Sequence, residues 1–244
     1  QRERKAWNFV ESGVGSGIYH SLDGGITWNT TGLTLTGTNR RAGDIIMHPT
    51  NNQILWCATS VGLYKTINAG ANWTVVQLGN FSQGNIRLKP NDSNTVYAVT
   101  TNTFFKSTNG GDSFVIVSSG LPLSSGRLVM DVTPANPDYV YILSAGTNPN
   151  YAFQGIFRST DSGNTFSARN TSTDVLESSQ AWFDLALAVS DVNAEEIYTG
   201  CLNVWKSTSG GTNFTKLNSW SAPASPTYTH ADIHYLGFQA GKFY

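Results

Sequence analysis

Short apolar runs alternate with turn-forming residues along the whole chain. The clearest repeat reads as four strands separated by Asn-, Gly- and Thr-rich turns: 44–49, 54–59, 62–66 and 72–76. The first run of each repeat is nearly all apolar, as at 86–88, 128–130 and 185–189, which is typical of an inner strand packed on both faces. Helical periodicity is confined to one turn at 176–181. The pattern therefore predicts an all-β chain.

A turn signature recurs between the third and fourth strand of each repeat. Its five copies repeat every 41 to 52 residues, the length of one four-stranded sheet, and begin at Ser21, Thr66, Ser107, Ser159 and Ser207. The third position carries a short polar side chain that accepts hydrogen bonds from the turn's own amides, and a following Gly permits a positive φ angle. This structural role falls to Asp23, Asn68, Asn109 and Asp161, whereas Ser209 departs from the pattern.

An aromatic residue closes each signature turn. We expect this ring to point away from the turn and pack between neighbouring sheets, where removal of a fully buried ring costs about 3 to 5 kcal/mol. The closing aromatics are Trp28, Trp73, Phe114, Phe166 and Phe214.

Repeated four-stranded sheets without helices predict a β-propeller. The signatures count four complete blades, with partial blades at both ends: the first signature follows only a third strand, and 230–244 supplies only a first strand and the start of a second. Two interpretations fit. The ends combine to close a five-bladed ring, or residues 1–244 are one propeller region cut from a larger propeller protein; we favour the second.

Composition narrows the class of protein. The chain has 244 residues, 39% of them hydrophobic, and a net charge of -1, so it lacks the basic field that attracts nucleic acid. No apolar stretch of about 18 residues is present to span a membrane, and Gln1 begins neither a signal peptide nor a Met start. The low charge and the abundance of Thr, Ser and Asn favour secretion, and Cys57 and Cys201 read as free buried thiols.

The signature, Ser-x-Asp-x-Gly-x-Thr-Trp in its first copy, resembles the Asp-box, or bacterial neuraminidase repeat. Together with 2–9, 15–19 and 230–234, it is similar to large secreted bacterial proteins of the sortilin-like or BNR-propeller group. That resemblance implies a secreted or cell-surface location, in many relatives through type IX secretion. It does not imply hydrolase activity, because Asp-box turns lie away from catalytic centres.

Glycoside hydrolysis is one hypothesis, because Asp-box propellers include sialidases and xyloglucan-active hydrolases. The sialidase version fails, since no Arg-Ile-Pro segment precedes the repeats. A two-carboxylate mechanism needs acids about 5 to 10 Å apart. Acids at the starts of inner strands would face a central channel, and the candidates are Asp44, Asp184 and Asp232. The simpler interpretation is that each caps a strand or binds a loop amide.

A metal site is a second hypothesis. His230, Asp232 and His234 alternate, so an extended strand would place all three side chains on one face. They would span about 13 Å, too far for one ion, so an adjacent pair with an outside ligand is more realistic. Otherwise these groups bond to each other and to water.

Ligand binding is the third hypothesis. Trp182, Phe183 and Tyr151, the last within the insert at 145–153, would offer an aromatic platform for a sugar or a peptide, or would simply cover the core. Arg40 and Arg41 would pair with Asp44 or with a ligand carboxylate, or remain solvated.

Because no catalytic set recurs, the sequence favours a non-catalytic propeller module that binds protein or glycan partners at the cell surface, without a cofactor. The alternatives are a glycoside hydrolase that uses the channel-facing aspartates, and a peptide receptor similar to sortilin.

Overall fold

The structure is a computed structural model that describes residues 16–37 and 40–244. These residues fall into two compact units, with the boundary between Ser82 and Gln83: unit 1 precedes it and unit 2 follows it. None of the described residues forms a helix, so the helical turn expected at 176–181 is absent. Accordingly, the described ranges contain no helix that could cross a membrane.

Unit 1 contains a two-stranded and a four-stranded antiparallel sheet. The first is formed by β1 (Tyr19–His20) and β2 (Asn29–Thr30). The second is a meander whose strands pair in chain order: β3 (Ala42–Met47), β4 (Leu55–Thr59), β5 (Gly62–Thr66) and β6 (Thr74–Leu78). β3 differs from the expected doubly packed strand, because Ile45 and Met47 are exposed on it.

Unit 2 contains three four-stranded meanders and one two-stranded sheet. The first meander comprises β7 (Ile86–Lys89), β8 (Asp92–Val99), β9 (Phe104–Ser107) and β10 (Val115–Val117). The second comprises β11 (Arg127–Thr133), β12 (Asn136–Ala145), β13 (Phe153–Ser159) and β14 (Ser167–Asn170). The third comprises β15 (Ala186–Val189), β16 (Ile197–Gly200), β17 (Val204–Ser207) and β18 (Thr215–Lys216). The last sheet pairs β19 (Phe238–Gln239) with β20 (Lys242–Phe243).

The number of sheets agrees with the number of blades that the signature turns predicted. Over the described residues there are four complete four-stranded sheets, preceded and followed by a two-stranded one. In the third meander of unit 2, the first strand β15 is apolar and buried, and the last strand β18 is exposed. The prediction of four complete blades with partial blades at both ends is confirmed.

Successive sheets of unit 2 pack face to face through alternate residues of their strands. On β11, Leu128 and Met130 belong to a buried cluster with Tyr97 of the preceding sheet. Val129, between them, belongs to a cluster with Leu187 of the following sheet. Side chains alternate across a strand, so an unbroken apolar run such as 128–130 buries both faces of its sheet.

The signature turns satisfy their own backbone. The Asp23 carboxylate accepts hydrogen bonds from the amides of Ile26 and Thr27 at 3.1 and 2.9 Å. Asp161 does the same with the amides of Asn164 and Thr165, at 3.0 and 2.9 Å. The polar residue at the third position therefore has the role that the sequence predicted. Asn68, Asn109 and Ser209 each accept the amide four residues further on.

The closing aromatics do not all pack between sheets. Phe166 is buried, at 6% exposure, and contacts Phe104 edge-on with ring centroids 5.0 Å apart. Trp73, Phe114 and Phe214 are partly buried. Trp28 is 49% exposed, and its indole nitrogen donates to the carbonyl of Gly25 in its own turn at 3.2 Å. The expectation is therefore wrong for Trp28, whose ring folds back on the turn that it closes.

Candidate functional site

One carboxylate joins the inner strands of unit 2. Asp131 of β11 accepts a hydrogen bond from Arg87 Nε of β7 at 3.0 Å and another from the Val189 amide of β15 at 2.9 Å. Both carboxylate oxygens are thus used, one for each neighbouring strand. The carboxylate of Asp131 therefore links β7, β11 and β15.

Asp184 lies just before β15 and is fully buried. Its amide donates to the Gln180 carbonyl at 3.1 Å, and the Cys201 thiol donates to its Oδ1 at 3.4 Å. Its Oδ2 atom is buried without a hydrogen-bond partner. Burial, together with the charge of Asp232, raises the pKa of Asp184 to about 6, while the Cys201 hydrogen bond and the charge of Arg127 oppose this rise. The carboxylate is therefore an under-coordinated acceptor.

Arg127, the first residue of β11, is buried beside Asp184. Its Nη1 atom donates to the Ala181 carbonyl at 3.2 Å, whereas its Nε atom has no hydrogen-bond partner. Burial lowers the pKa of Arg127 to about 10, and the negative charge of Asp184 acts against that lowering. A buried donor and a buried acceptor of opposite charge thus both remain unsatisfied in this region.

An aromatic platform, formed by Trp182 and Phe183, adjoins these charges. The two ring centroids are 5.6 Å apart, and the His234 ring meets Phe183 edge-on at 4.4 Å. Trp182 is 44% exposed, while its carbonyl accepts a hydrogen bond from Gln83 Nε2 at 3.2 Å. The structure therefore brings together the predicted residues Trp182, Phe183 and His234 in one site.

The surroundings of His234 lower its pKa. Burial lowers its pKa, and the positive charge of Arg127 lowers it further. Asp232 and a hydrogen bond with the Phe183 backbone act in the opposite direction. The lowered pKa favours the neutral imidazole of His234.

The expected strand at 230–238 is wrong over most of its length. Asp232 has a φ angle of 70°, in the left-handed region, which interrupts an extended strand. The Ile233 amide instead donates to the Cys201 carbonyl at 2.9 Å, and regular pairing begins at Phe238. The side chains of His230, Asp232 and His234 consequently do not share one strand face. Within the described ranges no group of three His, Cys, Asp or Glu residues is arranged to hold a metal ion.

One of the predicted ligand-binding residues, Tyr151, packs against its own unit. Tyr151 is partly buried against the cluster that contains Leu185, and its ring lies directly over Gly126, where an added Cβ would come within 2.8 Å of it. Its φ angle of 43° lies in the left-handed region. Tyr151 thus covers the residue before Arg127 and is not part of the platform formed by Trp182 and Phe183.

The remaining predicted residues belong to unit 1. Asp44 is buried on β3, and its Oδ1 atom accepts the Ile45 amide at 3.0 Å. Burial, together with the charge of Asp44, raises the pKa of Cys57 to about 12. Both cysteines are free and buried, as predicted. Arg40 and Arg41 are exposed and lie just before β3.

Arg127 and Gln83 are the site residues that sequence reasoning missed. The sequence offers one indication that Arg127 is unusual, because it is a charged residue at the start of the apolar run 128–130. The sequence offers no indication for Gln83, since it lies 99 residues from Trp182 along the chain and contacts it only in the folded protein.

The chain is similar to known proteins in structure but not in sequence. No family model matches the chain. No curated protein matches it in sequence either. Among solved structures, an ancestral GH74 enzyme superposes on 93% of the chain with a TM-score of 0.68 and 18% identity. The chain has a β-propeller fold.

Two other propeller-like structures come from Bacteroides thetaiotaomicron. An extracellular domain matches 93% of the chain with a TM-score of 0.61 and 13% identity. An auxiliary nutrient binding protein matches 86% of the chain with a TM-score of 0.55 and 12% identity. The chain spans 31% of the GH74 enzyme, 28% of the extracellular-domain structure and 57% of the nutrient binding protein, so each of them is considerably longer.

Proposed function

We propose that this chain is a glycan-binding β-propeller module of a secreted or cell-surface protein, and that residues 1–244 are one propeller region of that protein. The ligand binds at Trp182 and Phe183. The Asp-box resemblance of the signature turns and the low charge of the chain support an extracellular location. The signature turns themselves take no part in binding, because their polar side chains are occupied by their own backbone.

The observation that carries this proposal is an exposed indole on a fixed backbone. Trp182 remains 44% exposed although Gln83 holds its carbonyl and its neighbour Phe183 is packed against His234. A pre-organised aromatic surface stacks on the apolar face of a sugar ring at low entropic cost. The structural likeness to an auxiliary nutrient binding protein agrees with a binding role.

A panel of neutral and acidic oligosaccharides, measured by calorimetry and by quenching of Trp fluorescence, tests the proposal. We expect one class of sugar to bind, and Trp182→Ala to weaken that binding at least about tenfold. Trp220→Ala is the matched control, because Trp220 is equally exposed, at 46%, and belongs to the same unit but not to this site. Equal losses in both variants, or no binding by any sugar, would contradict the proposal; in the second case, capture of a protein partner becomes the alternative.

Glycoside hydrolysis is the second candidate, favoured by one observation. Asp184 has a pKa of about 6, suited to a general acid near neutral pH, and Asp232 is a second carboxylate that interacts with it. Against this, Asp184 is fully buried and so cannot touch a substrate without rearrangement. Cleaved products from the same panel that disappear in both Asp184→Asn and Asp232→Asn would establish the hydrolase and refute the purely binding role.

A further inference from the structure

We infer that Gln83 is a positioning residue for the glycan-binding platform: it tethers the backbone of Trp182 and so keeps the exposed indole in the orientation that stacks on a sugar. The inference rests on the proposed glycan-binding function and deepens it, because it assigns a share of the affinity to a side chain that does not contact the sugar. The observation behind it is the hydrogen bond from Gln83 Nε2 to the Trp182 carbonyl, at 3.2 Å.

Trp182 is the exposed tip of a short turn that has buried residues on both sides. Ala181 and Asp184 are fully buried, whereas Trp182 between them is 44% exposed. The Gln180 carbonyl accepts hydrogen bonds from the amides of Phe183 and Asp184, at 2.7 and 3.1 Å. None of these bonds uses the Trp182 carbonyl. The turn therefore fixes the amides that follow Trp182, and the carbonyl of Trp182 is held from outside the turn.

The groups that hold the platform come from two distant segments of unit 2. Gln83 supplies the donor to the Trp182 carbonyl. His234 forms a hydrogen bond with the backbone of Phe183 and packs edge-on against its ring. The segment that carries Gln83 is itself attached to the second meander, because Asn85 Oδ1 accepts an amide of β11 at 3.4 Å. The two platform residues are thus tethered separately, each by a side chain far away in the sequence.

The tether acts on binding through conformational entropy. An exposed side chain on a free turn loses orientational freedom when a ligand packs against it, and this loss weakens the affinity. A hydrogen bond that already fixes the backbone of Trp182 removes part of that loss before the sugar arrives. A single exposed hydrogen bond contributes little to the stability of a whole domain. Its removal should therefore be seen in binding more than in unfolding.

Gln83→Met tests the tether, because methionine is unbranched and of similar length but has no N–H donor and adds no charge. With the oligosaccharide that binds most tightly in the panel, we expect a loss of affinity of about three- to tenfold, smaller than the loss in Trp182→Ala. Gln154→Met is the matched control, since Gln154 Nε2 likewise donates to a backbone carbonyl of unit 2, that of Ser124 at 2.9 Å. It should bind like the unmodified protein.

A fluorine NMR measurement separates positioning from direct contact with the sugar. Protein labelled with fluorotryptophan gives a signal for each tryptophan, and Trp182→Phe and Trp220→Phe identify two of them. In the protein without sugar, we expect Gln83→Met to shift or broaden the Trp182 signal, because the untethered indole samples more orientations. The Trp220 signal should stay unchanged, and Gln154→Met should leave both signals as they are.

The outcomes separate the tether from the platform. Loss of binding in Trp182→Ala with affinity kept within about twofold in Gln83→Met would overturn the positioning role and leave the proposed function standing. Weaker binding by Gln83→Met with an unchanged Trp182 signal would also overturn it, because Gln83 would then act on the sugar directly. Equal losses in Gln83→Met and Gln154→Met would do the same. A panel in which nothing binds would overturn both proposals. Thermal unfolding of each variant confirms that the fold is retained.

Discussion

Asp131 Oδ1 lies 3.0 Å from Arg87 Nε, and this ion pair joins the first strands of two successive sheets. The pair is shielded: the side chains are 18% and 27% exposed. The other oxygen of Asp131 accepts the Val189 amide, so one carboxylate holds three sheets at their inner edges.

Asp131→Ala should lower the free energy of unfolding by about 2 to 4 kcal/mol, because it removes the partner of the Val189 amide and a partner of Arg87. Urea denaturation measures the effect. Asp131→Asn should lose less, since it keeps one carbonyl acceptor. Asp138→Ala is the control: its ion pair with Lys89 is more exposed, and its loss should be much smaller. Equal effects of the two Ala substitutions would refute the role of Asp131.

Asp184→Asn should stabilise the protein at neutral pH. Burial raises the folded-state pKa of Asp184 to about 6, above the unfolded value of 3.8, so the native state favours the protonated carboxyl. The stability that this group contributes is present below about pH 4 and is lost as the pH rises through about 6. We expect the variant to gain about 1 to 3 kcal/mol at pH 7.5 and little at pH 4. Denaturation at both pH values checks this; a pH-independent difference would contradict it.

Phe166→Ala and Trp28→Ala should differ although both remove the aromatic that closes a signature turn. Phe166 is buried and contacts Phe104, so its removal leaves a cavity and should cost about 3 to 5 kcal/mol. Trp28 is 49% exposed, so its removal should cost less than about 1 kcal/mol. The midpoints and slopes of chemical denaturation give both values. Similar losses would mean that burial does not govern these positions.

Asp161→Ala should destabilise its turn at neutral pH but not in acid. Burial acts to raise the pKa of Asp161, but hydrogen bonds from Ser159, Thr165 and the Asn164 amide outweigh it and lower the pKa to about 2. The stabilisation is therefore present above about pH 4 and is lost as the pH falls towards 2. Because the residue is exposed, we expect a loss of about 1 kcal/mol at pH 7. Asp161→Asn should lose less, since Asn occupies the same position in two other copies; an equal loss at pH 2 and pH 7 would contradict the mechanism.

The sequence alone determined the fold class, the number of sheets and the role of the signature turns. These features follow from local rules: apolar runs of strand length, turn residues between them, and a short polar side chain that bonds to amides three or four residues away. The same local logic predicted the strand at 230–238, and there it failed, because the amide of Ile233 bonds to Cys201 rather than to a neighbouring strand.

Only the tertiary structure decided which of the predicted side chains form a site. Asp184, Trp182, Phe183 and His234 meet because the starts of the inner strands of unit 2 adjoin the irregular segment before β19. Their neighbours Arg127 and Gln83 are distant in the chain, so the sequence does not show that they belong to the same site. Burial and electrostatic coupling depend on these long-range contacts, and so the charge state of Asp184 and the exposure of Trp182 arise only when the sheets pack.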